Sequence, residues 1–314
     1  MDQIETTRGD SAHTAPGTIP GTTAIPAFSL QRHQSLALPV LIAVPHAGRH
    51  YPDALAGRLR HPREASLRLE DRFIDLVAKA VSRTTGAALL VAHAPRAMID
   101  LNRSPDDVDW DMVVGGKPNQ RARMAAGCRS RSGLGLVPRR LPGLGELWST
   151  QLTAAELAER VAQVHEPYHA TLAITLEALR DKWGAALLLD LHSMPPLGPK
   201  TGADPAADYV IGDRFGASCE GRVTMAALDW LAANGVRAAH NRPYAGGYGL
   251  DRHGNPARGI GALQLEVCRS LYLDLAMREP GVGLGGTVAL VTGLVRRLAG
   301  EIAGGSAHWK QAAE

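Results

Sequence analysis

Short apolar runs alternate with amphipathic segments along most of the chain. Apolar runs at residues 40–44 and 185–189, and a run over 88–93 that ends in His93, predict buried strands. Residues 66–84 repeat apolar positions at helical spacing. Such alternation is typical of strand–helix–strand units around a parallel sheet. The sequence therefore predicts an α/β fold, with a single three-layer domain built on a mostly parallel mixed sheet.

The second half of the chain continues this pattern. Thr153 and Glu156 have the spacing of a capping box at the start of a helix, and Pro167 is expected to interrupt and restart that helix. Further elements are predicted as strands at 207–211 and 261–268 and as helices at 167–182, 221–234 and 286–303.

Two segments lack periodicity. Residues 1–34 are rich in Thr, Gly, Pro and Ser and are predicted to be disordered, so the folded domain is expected to span residues 35–314 and to begin near Leu36. Residues 115–145 carry many Gly and Arg and are predicted to form a long loop. The pattern leaves open whether that loop shapes a binding pocket or only covers the sheet.

Composition narrows the class of protein. The chain has 314 residues, 45% of them hydrophobic, which is enough for a substantial core. Basic residues number 34 and acidic residues 31, only 4% of residues are aromatic, and nucleic acid is therefore not expected as a partner. No apolar run approaches the roughly 20 residues of a membrane helix. Three scattered cysteines favour a reducing, cytoplasmic setting. We expect a monomer or small homo-oligomer.

Two histidines follow predicted strands. His192 lies two residues after Asp190 at the end of one apolar run, and His46 follows the run 40–44. Ligands bind outside the carboxyl ends of strands in open α/β sheets. His192 is either a solvated residue at a strand end or a metal ligand that Asp190 orients, and the second histidine in the same position favours the metal ligand.

Acidic side chains near residue 70 are a second candidate group. Asp71 and Asp75 are predicted to lie together on one face of the helix 66–84. Because Asp75 and Lys79 are four residues apart, this face also fits an ordinary solvated surface with an ion pair.

A third group combines cations with one buried acid. Arg96, Asn102 and Arg103 follow the run 88–93, and the arginine fork suits a carboxylate, although such arginines also occur on ordinary surfaces. Glu266 lies inside the apolar strand 261–268. Burial there raises its pKa towards the range useful for a general base.

One motif points to a different metal site. His165-Glu166-Pro167-Tyr168-His169 matches the H-E-x-x-H pattern of zinc proteases. That pattern needs an unbroken helix, and Pro167 removes a helical hydrogen bond inside the motif. We therefore do not expect the metal site here.

Six short motifs, in this order, together resemble the N-formylglutamate amidohydrolase family. They are Pro45-His46-Ala47-Gly48, Glu70-Asp71, Asp100-Leu101-Asn102-Arg103, Asp190-Leu191-His192-Ser193, Asn241-Arg242-Pro243-Tyr244-Ala245-Gly246-Gly247 and Leu263-Gln264-Leu265-Glu266. The resemblance covers nearly everything from Leu36 to Glu279. It implies the phosphorylase/hydrolase-like fold of the zinc carboxypeptidases and of the aspartoacylase and succinylglutamate desuccinylase group, and a place in histidine degradation.

The resemblance also implies a zinc ion, or another divalent metal, held by His46, His192 and an acid. In the carboxypeptidases the acid lies three residues after the first histidine, where this chain has Arg49. Asp71 is the expected acidic ligand in its place, and Glu70 is the alternative. Two imidazoles, one carboxylate and an open position describe a catalytic zinc, which activates water for hydrolysis.

The remaining roles come from the same resemblance. Glu266 resembles the general base, and Asn102 with Arg103 resembles the pair that holds the substrate carboxylate. Arg96 is expected to add to the anion pocket, Asp190 to orient the site, and Asn241 and Tyr244 to close over the substrate. The implied reaction is hydrolysis of the amide bond of an N-acyl, most simply N-formyl, acidic amino acid.

Two other functions are compatible with the same residues. A deacylase or carboxypeptidase would keep the metal site and act on another acylated amino acid or a short peptide. A binding protein would keep the fold without turnover, and the absent H-x-x-E pattern is the feature in its favour.

Overall fold

The computed structural model describes residues 5–6, 15–32, 36–116, 128–202 and 205–312. The strands within these ranges are β1 Glu5–Thr6, β2 Phe28–Arg32, β3 Val40–Val44, β4 Ala88–Ala92, β5 Val113–Val114, β6 Arg140–Leu141, β7 Gly145–Glu146, β8 Leu152–Thr153, β9 Ala186–Met194, β10 Tyr209–Gly212, β11 Ala238–His240 and β12 Ile260–Cys268. In the described part of the chain, eight of them form one sheet in the order β1-β2-β4-β3-β9-β12-β10-β11. The four central strands β4, β3, β9 and β12 are parallel, and β2 and β10 run antiparallel to their central neighbours. The predicted mostly parallel mixed sheet is confirmed.

Helices cover both faces of the sheet. Their bounds are α1 Asp53–Ala56, α2 Pro62–Leu69, α3 Ile74–Thr85, α4 Cys128–Arg131, α5 Ala154–Arg160, α6 Glu166–Trp183, α7 Gly221–Ala233, α8 Tyr248–His253 and α9 Leu284–Ala312. Val77 of α3, Leu231 of α7 and Leu294 of α9 are buried in one core, whereas Leu172 and Leu176 of α6 are buried in the other. The fold therefore has three layers. Across the described ranges, no helix combines the length and the apolar character that crossing a membrane requires.

The region predicted as one helix over 66–84 is two helices with a break between them. Glu70 is extended and Phe73 adopts a left-handed conformation with φ 58°, so α2 ends at Leu69 and α3 starts at Ile74. The Asp71 amide donates to the carbonyl of His46 at 2.9 Å, a bond that an unbroken helix would not allow. Asp71 therefore lies in a loop, and the prediction that it shares a helix face with Asp75 is wrong.

Asp75 does not lie on a solvated face either. It is buried in α3, where Arg49 Nη1 and Lys79 Nζ each donate to its carboxylate at 2.8 Å. The predicted pairing with Lys79 is confirmed, but the carboxylate belongs to a buried ion-pair cluster.

The fold begins before Leu36. Strand β2 pairs with β4, and the Phe28 ring packs edge-on against Tyr168 with centroids 5.6 Å apart. For residues 15–32 the predicted disorder is therefore wrong, because distant pairing partners order a segment that has no periodicity of its own. Residues 1–4, 7–14 and 33–35 lie outside the described residues.

The capping box predicted at residue 153 is confirmed. Thr153 Oγ1 accepts from the Glu156 amide at 3.1 Å, and Glu156 Oε2 accepts from the Thr153 amide at 2.7 Å. Helix α5 then continues through a π-helical turn at Val161–His165 into α6, which carries Pro167 in its first turn. The predicted interruption is therefore a π-helical turn within a continuous helical segment, and it lies directly before the proline, which has no amide hydrogen to donate to the preceding turn.

Candidate active site

Two neighbouring strands place four polar side chains on one face of the sheet. In the register of β9 with β12, Asp190 lies beside Gln264 and His192 beside Glu266. Side chains two residues apart on a strand share a face, so these four form a compact block, and all four are buried. Because β9 extends to Met194, Asp190 and His192 lie within the strand, a little before the end at which the sequence placed them.

Three side chains converge on one point beside this block. One ring nitrogen of His46, one ring nitrogen of His192 and an Asp71 carboxylate oxygen all lie within 4.8 Å of one another. Asp71 Oδ2 is 2.9 Å from His192 Nδ1 and 3.5 Å from His46 Nδ1. Glu70 is not part of this group, because its carboxylate accepts from Arg72 Nη1 at 3.1 Å.

The second nitrogen of each imidazole is held by a carboxylate. His46 Nε2 donates to Asp100 Oδ1 at 2.7 Å, and His192 Nε2 donates to Asp190 Oδ2 at 3.0 Å. A proton held on Nε2 leaves the Nδ1 lone pair of a neutral ring available for a cation. Metal-binding histidines commonly have such a carboxylate partner. Two imidazole nitrogens and a carboxylate oxygen therefore fit zinc or another divalent metal.

The charges of this group favour a cation at the same point. Burial works against the charged forms, but contact with His192 and His46 outweighs it and lowers the pKa of Asp71. Likewise, Asp190 and Asp71 outweigh the effect of burial and raise the pKa of His192 well above its usual value. A divalent metal would supply this positive charge in place of the proton on His192.

Asp100 is a site residue that sequence reasoning missed. Besides His46, it accepts from Arg96 Nε at 2.9 Å and from the Asn102 amide at 2.8 Å, and it is fully buried. Burial would raise its pKa, but the Arg96 and His46 charges hold that pKa well below its usual range. The signal was present, because Asp100 stands between Ile99 and Leu101, an apolar setting like that of Glu266.

Glu266 is buried within β12, as its apolar neighbours predicted. Burial raises the pKa of Glu266 to about 7, with the His192 charge opposing this rise and the Asp71 charge adding to it. Gln264 Nε2 donates to Glu266 Oε1 at 3.0 Å and so orients the carboxyl group. The predicted environment of this acid is confirmed.

A cavity of about 250 Å³ opens onto these residues. His46, Asp71, His192 and Glu266 line it together with five arginines, Arg68, Arg96, Arg103, Arg129 and Arg269. With five guanidinium groups against two acids, the cavity suits an anionic ligand. The sequence pointed to Arg96 and Arg103 only, since the other three come from separate segments and share no motif.

The arginine-rich segment 115–145 contributes to this cavity. Arg129 and Leu134 lie in its lining, so part of the segment shapes the pocket. Residues 117–127 lie outside the described residues.

Arg269 braces the acid that faces the two histidines. Its guanidinium donates to the Glu70 carbonyl, to Asp71 Oδ1 at 3.4 Å and to Ser193 Oγ at 3.1 Å. These bonds join the loop after α2 to strand β9 and so fix where the Asp71 carboxylate lies.

Asn102, Arg103 and Tyr244 line the cavity, as the sequence predicted, but Asn241 does not. The Asn241 side chain pairs with Asp213 instead: its Nδ2 donates to Asp213 Oδ1 at 2.7 Å, and its Oδ1 accepts from the Asp213 amide at 3.0 Å. The left-handed φ of 59° at Asn241 turns the backbone at this point. The prediction that Asn241 closes over a substrate is wrong.

The glycines after Tyr244 allow a close approach to Asn102. A Cβ atom at Gly247 would lie 2.6 Å from Asn102 Oδ1, too close for any other residue to fit without a shift. The neighbouring Gly249 amide donates to the same oxygen at 3.0 Å.

Comparison with known proteins identifies the family of this chain. A family model described as N-formylglutamate amidohydrolase matches residues 38–273. N-formylglutamate deformylases of Pseudomonas putida and Pseudomonas aeruginosa are 32% and 31% identical over 249 and 252 residues. These matches cover 78% and 76% of this chain and 85% and 83% of the relatives. The crystal structure of N-formylglutamate amidohydrolase from Ralstonia eutropha JMP134 superposes with a TM-score of 0.79 at 32% identity, covering 88% of this chain and 99% of that one. The chain therefore belongs to the N-formylglutamate amidohydrolase family.

Proposed function

We propose that the chain is a metal-dependent amidohydrolase that cleaves the formyl amide bond of N-formyl-L-glutamate. The observation that carries the proposal is the convergence of His46, Asp71 and His192 in a cavity that also holds Glu266 and five arginines. Family membership and the relatives named N-formylglutamate deformylase support the choice of acyl group and amino acid.

Zinc is the metal that the donor set suits best. His46 Nδ1, His192 Nδ1 and the Asp71 carboxylate would hold it, and Asp100 and Asp190 would keep both imidazoles in the binding tautomer. When bound, the ion supplies a Lewis acid that polarises a carbonyl and activates water.

Glu266 is the proposed general base. A carboxyl group with a pKa of about 7 both accepts and returns a proton readily near neutral pH. It takes a proton from the attacking water as the water oxygen bonds to the formyl carbon. It then gives that proton to the amide nitrogen as the C–N bond breaks, which releases formate and glutamate.

The arginines bind the carboxylates of the substrate in this proposal. Arg103 Nε donates to the Leu134 carbonyl at 3.0 Å and Nη1 to the Asn102 carbonyl at 2.7 Å, which orients the guanidinium and leaves Nη2 for the substrate. Arg96 contacts the Asp100 carboxylate through Nε and Nη2, and in this proposal its Nη1 donates to the developing oxyanion. Arg68 and Arg129, both exposed at the cavity, add positive charge for a second carboxylate.

The test is a substrate panel with the purified chain, loaded with one equivalent of zinc and checked by elemental analysis. We expect formate release from N-formyl-L-glutamate to exceed formate release from N-formyl-L-glutamine by at least about tenfold, the value of one charged contact. Preference for acetyl or succinyl amino acids, or for a peptide, would replace the proposal with the other deacylase or carboxypeptidase. Bound zinc without any turnover would make the chain a binding protein. The cytoplasmic location and the oligomeric state stay predictions.

A further inference from the structure

Three buried histidines form a cluster away from the candidate metal site. They are His165 and His169 of the H-E-x-x-H stretch and His253 at the end of α8, each no more than 7% exposed. The rings of His165 and His169 lie 4.4 Å apart between centroids, and His253 stacks on His169 at 5.2 Å. Tyr248 packs edge-on against His169 at 5.0 Å.

The hydrogen bonds of this cluster define its tautomers. His165 Nε2 donates to the Arg103 carbonyl and His169 Nε2 to the Leu101 carbonyl, each at 2.9 Å. Because a carbonyl only accepts, both rings carry a proton on Nε2. His169 Nδ1 then accepts from His253 Nε2 at 2.9 Å. Burial lowers the pKa of His165 and of His253 to about 4, and that of His169 well below its usual value, so all three are neutral.

The two carbonyls lie on either side of Asn102, in the loop of residues 100–103. The Asn102 side chain reaches into the block formed by β9 and β12, with Nδ2 3.3 Å from His192 Nε2 and 3.4 Å from Gln264 Oε1. The same loop carries Arg103 in the cavity and Asp100 behind His46. The histidines thus fix the backbone from which the anion-binding side chains project.

We propose that His165, His169 and His253 are positioning residues that hold the loop 100–103 in the geometry that binds the acidic substrate. The H-E-x-x-H stretch serves this loop, and the metal lies elsewhere. The inference rests on the proposed function for its choice of substrate. A histidine that served only the core would affect global stability and leave substrate binding unchanged.

The experiment compares His169→Leu with His169→Gln, and His165→Leu with His165→Gln. Glutamine can place its amide nitrogen near the position of Nε2 and keep the bond to the carbonyl, whereas leucine cannot. We expect each leucine variant to raise the KM for N-formyl-L-glutamate about tenfold, the effect of losing one buried hydrogen bond, with kcat and zinc content unchanged. Each glutamine variant should restore most of the affinity. His93→Leu, in a half-buried histidine outside the cluster, is the matched control.

Amide hydrogen exchange of the zinc-loaded protein without substrate gives a readout that is independent of activity. Exchange of the Asn102 and Arg103 amides should become faster in the leucine variants than in the glutamine variants. Two results would overturn the inference. In the first, the leucine variants would exchange faster over the whole protein and lose stability while KM stayed unchanged. In the second, the leucine variants would lose zinc. If the parent chain did not hydrolyse N-formyl-L-glutamate, the proposed function would fail, and the exchange comparison would still decide the role of the histidines. If one leucine variant did not fold, the pair at the other histidine would decide.

Discussion

Asp100→Asn tests whether a buried carboxylate sets the metal-binding tautomer of His46. The parent side chain is 1% exposed and accepts from His46 Nε2, Arg96 Nε and the Asn102 amide at 2.7 to 2.9 Å. Asparagine keeps the shape but replaces one acceptor oxygen with an NH2 donor. At least one donor is then left without a partner, and Arg96 loses its counter-charge.

Two separate effects of known size follow. Loss of a carboxylate behind a metal-bound histidine weakens metal binding about 10- to 100-fold. Breaking a buried ion pair costs about 3–5 kcal/mol of stability. Because Arg96 keeps 18% of its side chain exposed to water, we expect the lower end of that range, about 3 kcal/mol.

The two effects are measured in different states of the protein. Zinc affinity is obtained by competition with a chromophoric chelator, and stability by urea unfolding in excess EDTA. Asp190→Asn is the matched comparison, since Asp190 holds the other imidazole, whereas Asp100 holds its imidazole and also pairs with Arg96. It should weaken zinc binding with a smaller loss of stability. Asp181→Asn removes only a surface pair with Arg180 and should change neither quantity. If Asp100→Asn lost stability but bound zinc like the parent, the role assigned to Asp100 would be refuted.

Three further outcomes follow from the same site and from the histidine cluster. Glu266→Gln should lower kcat about 10²- to 10⁴-fold, because glutamine keeps the shape and removes the base, while elemental analysis should still find full zinc content. Near-parental turnover would exclude Glu266 as the general base. The kcat/KM of the parent should rise with pH and level off, with a midpoint at or below about 7, because Glu266 must be deprotonated to act and a bound cation lowers its pKa further. A fall in kcat/KM over this range would contradict the assignment of Glu266 as the general base. The urea midpoint of the EDTA-treated protein should fall as the pH drops from 6.5 to 4, because His165 and His253 bind protons more readily in the unfolded chain. At pH 4 each histidine then lowers the free energy of unfolding by up to about 3 kcal/mol. His165→Gln should flatten that slope, and an unchanged slope would show that His165 is not buried as a neutral ring.

Local pattern was sufficient for most of the sheet. The apolar run at Val40–Val44 is a strand with the predicted bounds, and the capping box at Thr153 forms as its spacing required. These features depend on side chains that are close in sequence. By contrast, the break between α2 and α3 depends on the hydrogen bond from the Asp71 amide to the His46 carbonyl. Helical periodicity within residues 66–84 gives no information about a partner so far away in the sequence.

The site shows the same division. His46, His192 and Glu266 follow or lie within recognisable apolar runs, so their segments could be identified from the sequence. Arg129 lies in a segment without a motif and reaches the cavity only through tertiary packing. Arg269 directly follows the apolar strand 260–268, so its position after an apolar run resembles that of His46. The position of Asn241 was predicted wrongly because the motif gives only the order of residues along the chain. Its partner Asp213 follows a neighbouring strand, and only the folded sheet brings the two side chains together.

The adjacency of β3, β9 and β12 also bears on how this protein folds. Asp71 and His192 are 121 residues apart, and their meeting requires parallel pairings between strands that are distant in the chain. Contacts of such high sequence separation form slowly, because the chain must first lose the entropy of closing long loops. The candidate metal ligands therefore do not come from any single segment of the chain. We expect zinc to bind only after the central strands have paired, so added metal should slow unfolding while leaving the refolding rate unchanged.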